Sequence, residues 1–140
     1  MMKKILFLAL SLILMISCGG SKQKASENEK AEARAFIKSE VENADKILRG
    51  KQIDFMTVCD SAIYVNGDIH YYYTLDESYA TIESIRGKVD EIKEKQKAMM
   101  ESVPAGKELV SKLELINADM TYHYKGNLSG DELSITVFDF

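Results

Sequence analysis

The chain has 140 residues, with 22 acidic residues against 18 lysines and arginines, which gives a formal net charge of −4. An acidic chain without a basic patch argues against a nucleic-acid partner, because binding to phosphates requires clustered cations. The length fits one ordinary domain, which can bury a core without the help of disulfides or metals.

The N-terminal segment has the composition of a secretory signal. Lys3 and Lys4 precede a run at positions 5–16 that is apolar except for Ser11. A basic start followed by an apolar run of this length is typical of a signal peptide. A transmembrane helix is the alternative, but it needs roughly 20 apolar residues, which this run does not reach.

The end of this run carries the most specific motif in the chain. Residues 14–18, Leu-Met-Ile-Ser-Cys, resemble the lipobox of bacterial lipoproteins, with Met15 where leucine is usual. The resemblance implies that lipoprotein signal peptidase cleaves before Cys18, which is acylated and becomes the new N-terminus. Two or more acyl chains anchor a protein stably. Gly19 follows the cysteine where inner-membrane lipoproteins of enterobacteria carry aspartate, which implies the periplasmic side of the outer membrane in a diderm source.

This processing sets the predicted organisation: a signal peptide at 1–17, an acylated cysteine with its tether at 18–25, and a single domain at 26–140. Removal of Lys3 and Lys4 makes the mature chain more acidic, so membrane association should come from the lipid on Cys18. Acylation of Cys18 also leaves Cys59 without a disulfide partner. Cys59 is therefore predicted to be a small buried hydrophobic residue.

A first helix is predicted to begin at Ser26. Ser26 and Glu29 have the spacing of a capping box, in which each side chain accepts a hydrogen bond from the other residue's backbone. Apolar residues then recur with helical spacing on one face. These residues are Ala33, Phe36, Ile37, Val41, Ala44, Ile47 and Leu48. Gly50 is placed to end the helix.

A β-hairpin is predicted next, centred on Asn66-Gly67, because both residues tolerate the positive φ of a type I′ turn. Pairing Val65 with Asp68 sorts the flanking residues into two faces. The more apolar face, predicted to point to the core, carries Met56, Val58, Ala62, Tyr64, Ile69, Tyr71, Tyr73 and Leu75. The opposite face carries Cys59, Ser61, Ile63, His70, Tyr72 and Thr74.

A long helix is predicted over 76–103, with one apolar stripe and a charged opposite face. The stripe is predicted to pack on the protein's own sheet; a coiled-coil seam for a partner helix is the alternative. Pro104 should break or kink this helix. A further short helix is predicted around 109–116, with Asn117 as a left-handed cap.

A second hairpin closes the chain, with alternating strands at 120–125 and 133–138 around a turn at 126–131. The predicted fold class is α+β: a two-layer sandwich in which two hairpins form a four-stranded antiparallel sheet covered on one face by two or three helices, in the order α-ββ-α(α)-ββ. The layout resembles small uncharacterised bacterial secreted and lipoprotein domains, a resemblance that implies no activity. The matching residues are Asp54, Thr57, Tyr71, Tyr73, Tyr122 and Tyr124.

The chemistry-bearing residues do not form a catalytic motif. His70, His123 and Asp68 could approach one another, but a zinc or copper site needs three or four ligands and no ligand spacing supports one. Cys59 or Ser61 beside a histidine could form a nucleophilic pair, yet no nucleophile signature surrounds either. We therefore expect no metal, no cofactor and no enzymatic activity.

The candidate binding surface is the less apolar face of the sheet, with Tyr72, His70, His123 and Phe138. Exposed aromatic residues on a sheet face are typical of a binding surface. The leading hypothesis is a lipid-anchored module of the cell envelope that binds another envelope protein. The alternative is a carrier or sensor of a small ligand, which a sizeable apolar pocket between helices and sheet would favour. A hydrolase is a distant third.

Overall fold

The structure is a computed structural model that describes residues 25–140. The predicted signal peptide at 1–17, the acylation of Cys18 and nearly all of the tether lie outside the described residues. The hydrophobic core is formed by residues between Ile37 and Phe138. A chain that starts at Cys18 therefore keeps every core residue among those that the structure describes.

The described elements alternate between helices and strands in the predicted order, with one additional strand. They are α1 (Glu27–Leu48), β1 (Lys51–Asp54), β2 (Thr57–Val65), β3 (Asp68–Leu75), α2 (Ile82–Arg86), α3 (Val89–Glu101), α4 (Pro104–Leu115), β4 (Met120–Gly126) and β5 (Glu132–Phe138). The fold is α+β, as the sequence predicted.

The sheet differs from the prediction in strand number and direction. It has five strands in the order β1-β2-β3-β4-β5, and β3 runs parallel to β4 while the other neighbours are antiparallel. The prediction of four antiparallel strands was therefore wrong in detail. The helices between β3 and β4 form a crossover that returns the chain to the end of the sheet where β3 began, which makes the two strands parallel.

The extra strand, β1, escaped sequence analysis because it has no hydrophobic alternation. It is a four-residue edge strand, Lys-Gln-Ile-Asp, and all of its residues are exposed. Short polar strands of this kind are common at sheet edges, where they discourage pairing with other chains.

A β-bulge changes the predicted faces of β2. Val65 pairs with Asp68 as predicted, and Asn66 and Gly67 both have positive φ. Asp60, however, is an extra residue between the pairs Cys59–Tyr73 and Ser61–Tyr72. A bulge shifts the alternation by one residue. Within β2 before the bulge, Thr57 and Cys59 therefore face the core in place of the predicted Val58, while Met56, which precedes the strand, packs against the core as predicted.

The helix boundaries follow local signals at most positions. The capping box of α1 is present, with the Glu29 amide donating to Ser26 Oγ at 3.1 Å. The predicted long helix is divided into α2 and α3 at Gly87–Lys88. Pro104 occupies the first turn of α4, where its missing N–H costs nothing, so it begins a helix rather than kinking one. Asn117 has a φ of 51° and caps α4 as predicted.

The helices lie on one face of the sheet and leave a gap over its centre. α1 packs on β2, α3 packs toward β5, and α4 packs against both α1 and α3. The inward residues of α1 are Ala33, Ile37 and Val41, all fully buried or nearly so. By contrast α3 has no buried residue. Its inner side therefore borders open space above β3 and β4.

Candidate functional site

A cleft of about 510 Å³ occupies the gap between α1, α3 and the helical face of the sheet. Its lining is mainly apolar, with a small number of polar groups. The lining residues are Leu48, Ile53, Asp54, Met56, Thr57, Tyr71, Tyr73, Leu75, Ile85, Ile92, Lys95, Gln96, Met99, Tyr122 and Tyr124. We call this site the tyrosine cleft.

Four tyrosines form the floor of the tyrosine cleft. The parallel pairing of β3 and β4 places Tyr71 beside Tyr122 and Tyr73 beside Tyr124. The rings of Tyr71 and Tyr73 each meet Tyr122 edge to face, with centroids 5.5 Å apart, and Tyr73 lies 5.3 Å from Tyr124. Such aromatic contacts fix the ring positions and leave the hydroxyls at the cleft surface.

The tyrosine hydroxyls are neutral hydrogen-bonding groups. Burial raises the pKa of Tyr71, Tyr73, Tyr122 and Tyr124, to about 12 for Tyr124, where Asp54 also contributes. Tyr122 donates a long hydrogen bond of 3.4 Å to Gln96 Oε1. In the described part of the chain, no buried side-chain nitrogen or oxygen lacks a hydrogen-bond partner. The hydroxyls of Tyr71, Tyr73 and Tyr124, which have no such partner in the described chain, are therefore not fully buried and are open to a ligand or to water.

The alternation of these tyrosines along the predicted strands indicates core positions, and it does not reveal the tyrosine cleft. The available signal was the alternation of four tyrosines on core-facing strand positions. A buried tyrosine needs a partner for its hydroxyl, so several together indicate a polar opening within the core. Their juxtaposition across β3 and β4 could not be derived, because it depends on the parallel pairing.

The opposite face of the sheet brings together three of the predicted surface residues. His70 Nδ1 and His123 Nε2 are 2.8 Å apart, and His123 Nδ1 is 2.8 Å from Ser134 Oγ. The Tyr72 ring stacks on His123 with a centroid separation of 4.7 Å. Tyr72 is 37 % exposed and the neighbouring Ile63 is 41 % exposed. We call Ile63, His70, Tyr72 and His123 the outer-face patch.

The histidine pair shares one hydrogen bond, so one ring must donate a proton and the other must accept it. Partial burial lowers the pKa of His123, and the nearby His70 lowers it further, while Glu132 opposes both effects. The ring that accepts the shared hydrogen bond is therefore neutral. Both ring nitrogens of His123 are engaged, by His70 and by Ser134, so within the described residues Nε2 of His70 is the ring nitrogen of the pair that is left for a partner.

Phe138 does not belong to the outer-face patch. It is 4 % exposed and packs within the hydrophobic core. The register between β4 and β5 shifts by one residue between Thr136 and Phe138. This irregularity turns the Phe138 side chain to the helical face, where sequence alternation had predicted the outer one.

The structure separates Cys59 from His70, and Asp68 has another role than that of a metal ligand. Cys59 is fully buried on the helical face, where burial raises its pKa, whereas His70 lies on the outer face. Asp68, the third candidate ligand, accepts a hydrogen bond of 2.8 Å from the Asp119 amide and so joins the starts of β3 and β4. Within residues 25–140 no group of three or more His, Cys, Asp or Glu could hold a metal ion.

Comparison with known proteins places the fold but not the function. No protein-family model and no curated protein matches the sequence. Among solved structures, the chain is similar to a presumed secreted protein from Pseudomonas aeruginosa, with a TM-score of 0.62 and 12 % identity over 82 % of this chain and 96 % of that one. At this identity the likeness shows a shared fold alone. Among the described helices, none has the length and apolar character that crossing a bilayer requires.

Proposed function

We propose that the protein is a lipid-anchored binding protein of the bacterial cell envelope, which holds a small, mainly apolar molecule in the tyrosine cleft and catalyses no reaction. One observation carries this proposal: the tyrosine cleft has a volume of about 510 Å³ and a mainly apolar lining. Ligand sites have volumes of roughly 300–1,000 Å³ and combine apolar walls with few polar groups.

The polar groups of the tyrosine cleft support binding rather than catalysis. General acids and bases work best with pKa values near the operating pH. Burial moves the pKa of all four tyrosines upward, away from neutrality. Their hydroxyls can therefore orient a ligand through hydrogen bonds while remaining protonated.

The proposed cellular location rests on the sequence of the N-terminal segment. A lipobox ending at Cys18 supports anchoring to the periplasmic side of the outer membrane in a diderm bacterium. The shared fold with a presumed secreted protein agrees with export from the cytoplasm. A ligand carrier or sensor held near the membrane by a short tether would meet molecules that cross the envelope.

The test is binding of Nile red, a neutral apolar dye, to the chain from residue 18 with Cys18→Ser. We expect saturable fluorescence enhancement with one site per chain. Met99→Glu, which places a charge in the lining, should weaken binding by about tenfold, because a charge left against an apolar ligand costs roughly 1–3 kcal/mol or more. Absence of saturable binding would contradict the proposal.

Ile47→Glu is the matched control. Ile47 is 61 % exposed and Met99 is 57 % exposed, and each lies in the last turn of a helix, but Ile47 does not line the tyrosine cleft. Both variants add the same charge to a helix C-terminus. Equal weakening by the two variants would show that the dye binds elsewhere.

A second candidate function is binding of an envelope protein through the outer-face patch. The exposed Tyr72 and Ile63 beside the histidine pair favour it, since aromatic residues are enriched in protein interfaces. Crosslinking of the acylated protein in intact cells should then capture one partner in stoichiometric amount, and Tyr72→Ala should abolish the capture. If Tyr72→Ala left the yield of the captured partner unchanged, the outer-face patch would be excluded as the binding surface.

A further inference from the structure

Among residues 25–140, Lys95 is the only cationic side chain that lines the tyrosine cleft. It lies on α3 between Ile92 and Met99, which also line the cleft, and its side chain is exposed, so it stands at the border of the cleft. In the described part of the chain Lys95 forms no ion pair. A lysine in this position has an apolar stem along the cleft wall and an ammonium group that can reach the opening.

Among the described residues the lining contains one carboxylate, that of Asp54, and one of its oxygens is held by the backbone. Asp54 Oδ1 accepts a hydrogen bond of 2.9 Å from the Met56 amide in the turn between β1 and β2. No ion pair joins Asp54 to Lys95 within the described residues. Lys95 is therefore a cation without an ion pair at the edge of an apolar lining, in a chain whose net charge is acidic.

We propose that the ligand of the tyrosine cleft is an amphiphile with one apolar chain and an anionic head group. The apolar chain lies on the tyrosine floor against Leu75, Ile85 and Ile92, and the head group pairs with Lys95 at the opening. Gln96 Oε1 accepts the Tyr122 hydroxyl at 3.4 Å, which leaves the side-chain NH2 of Gln96 to donate a further hydrogen bond to the head group. This inference rests on the proposed binding function and specifies the class of ligand.

The inference is tested by displacing Nile red with three detergent-like probes whose alkyl chains have the same length. The probes are dodecanoate, dodecanol and dodecyltrimethylammonium, each below its micellar concentration, with the chain from residue 18 carrying Cys18→Ser. We expect dodecanoate to bind about fivefold more tightly than dodecanol, with dodecyltrimethylammonium the weakest. Lys95→Gln should remove the advantage of dodecanoate, and Lys95→Glu should reverse the order of the charged probes.

Lys93→Gln is the matched control, because Lys93 lies on the same helix and does not line the tyrosine cleft. It should preserve the advantage of dodecanoate. Added salt should reduce that advantage, since an ion pair near the surface is screened.

The outcomes separate this inference from the function on which it rests. Equal displacement by dodecanoate and dodecanol, or an advantage that survives Lys95→Gln, would overturn the anionic head group while Nile red binding still supports an apolar ligand. A chain that binds neither Nile red nor any of the three probes would overturn both proposals.

Discussion

The environment of the Glu77 side chain differs from the one that its sequence position indicates. The pair Asp76-Glu77 resembles solvated acidic residues at a helix start. In the structure the Glu77 carboxylate instead accepts hydrogen bonds from the turn between β4 and β5. The donors are the Ser129 amide at 2.7 Å, Ser129 Oγ at 2.8 Å and the Leu128 amide at 3.1 Å.

The first prediction concerns Glu77→Gln. Hydrogen bonds, above all from the Ser129 amide, lower the pKa of Glu77 below its ordinary value of 4.5. A carboxyl with a lowered pKa stabilises the fold above its unfolded-state pKa, and this stability is lost as the pH falls through the folded-state value. Glu77→Gln should therefore lower the free energy of unfolding at neutral pH and reduce the loss of stability below pH 4.5.

Urea unfolding at about pH 7 and at about pH 4 or lower measures both effects. Glu83→Gln is the control, because Glu83 is largely exposed and pairs only with Arg86 on its own helix. A Glu77→Gln chain that keeps the full acid dependence of the wild type would rule out Glu77 as its source.

At the scale of elements, the close contact between α3 and α4 depends on a glycine. Gly106 is buried in the first turn of α4, and a Cβ atom there would overlap the carbonyl oxygen of Met100 and lie 2.8 Å from its carbonyl carbon. These are backbone atoms of α3, so a rotamer change cannot relieve the overlap. Gly106 therefore allows the turn that places α3 beside the tyrosine cleft.

The second prediction compares Gly106→Ala with Gly87→Ala. In an open helical position, alanine stabilises relative to glycine by roughly 0.5–1 kcal/mol. Gly106→Ala should instead destabilise the protein by about 1–3 kcal/mol, as overpacking does. At Gly87 the nearest atom to a new Cβ would be Ser84 O at 3.8 Å, and φ is −73°. Gly87→Ala should therefore be neutral or slightly stabilising.

Denaturant unfolding followed by circular dichroism measures both variants. Destabilisation by Gly87→Ala alone, or by neither variant, would contradict the close approach of α3 and α4. A loss of Nile red binding with Gly106→Ala would further indicate that the position of α3 matters for the tyrosine cleft.

At the scale of the whole molecule, the predicted lipid anchor at Cys18 and the proposed binding domain lie in different parts of the sequence. The third prediction is that Cys18→Ser abolishes incorporation of radiolabelled palmitate and moves the protein from the membrane fraction to the soluble fraction. The reason is that two or more acyl chains on this residue would supply the stable anchor. Persistent labelling of the Cys18→Ser chain would contradict the lipobox.

We expect the same variant to leave the domain folded, since the first buried apolar residue of the described chain is Ala33, fifteen positions after Cys18. Its Nile red affinity should equal that of the acylated protein within about twofold, because a substitution remote from a binding site usually acts independently of it. Weaker binding would show that the acyl chains or the tether contribute to the site.

Local features were predictable from the sequence, because the residues that cause them are close together along the chain. Ser26 and Glu29 form the capping box of α1, Asn66-Gly67 forms the turn of the first hairpin, and Asn117 caps α4. Helical and strand periodicities likewise indicated an α+β fold with helices on one face of the sheet. The caps and turns depend on residues within a few positions of one another, and each periodicity lies within a single helix or strand.

Only the tertiary structure decided how these elements combine. The parallel pairing of β3 with β4, the bulge at Asp60 and the register shift near Phe138 depend on contacts between distant segments. The meeting of His70 with His123 and the engagement of Glu77 by Ser129 join residues about fifty positions apart. The tyrosine cleft arises from the same cause: strand direction and helix placement are set by packing over the whole domain, and no local propensity encodes them.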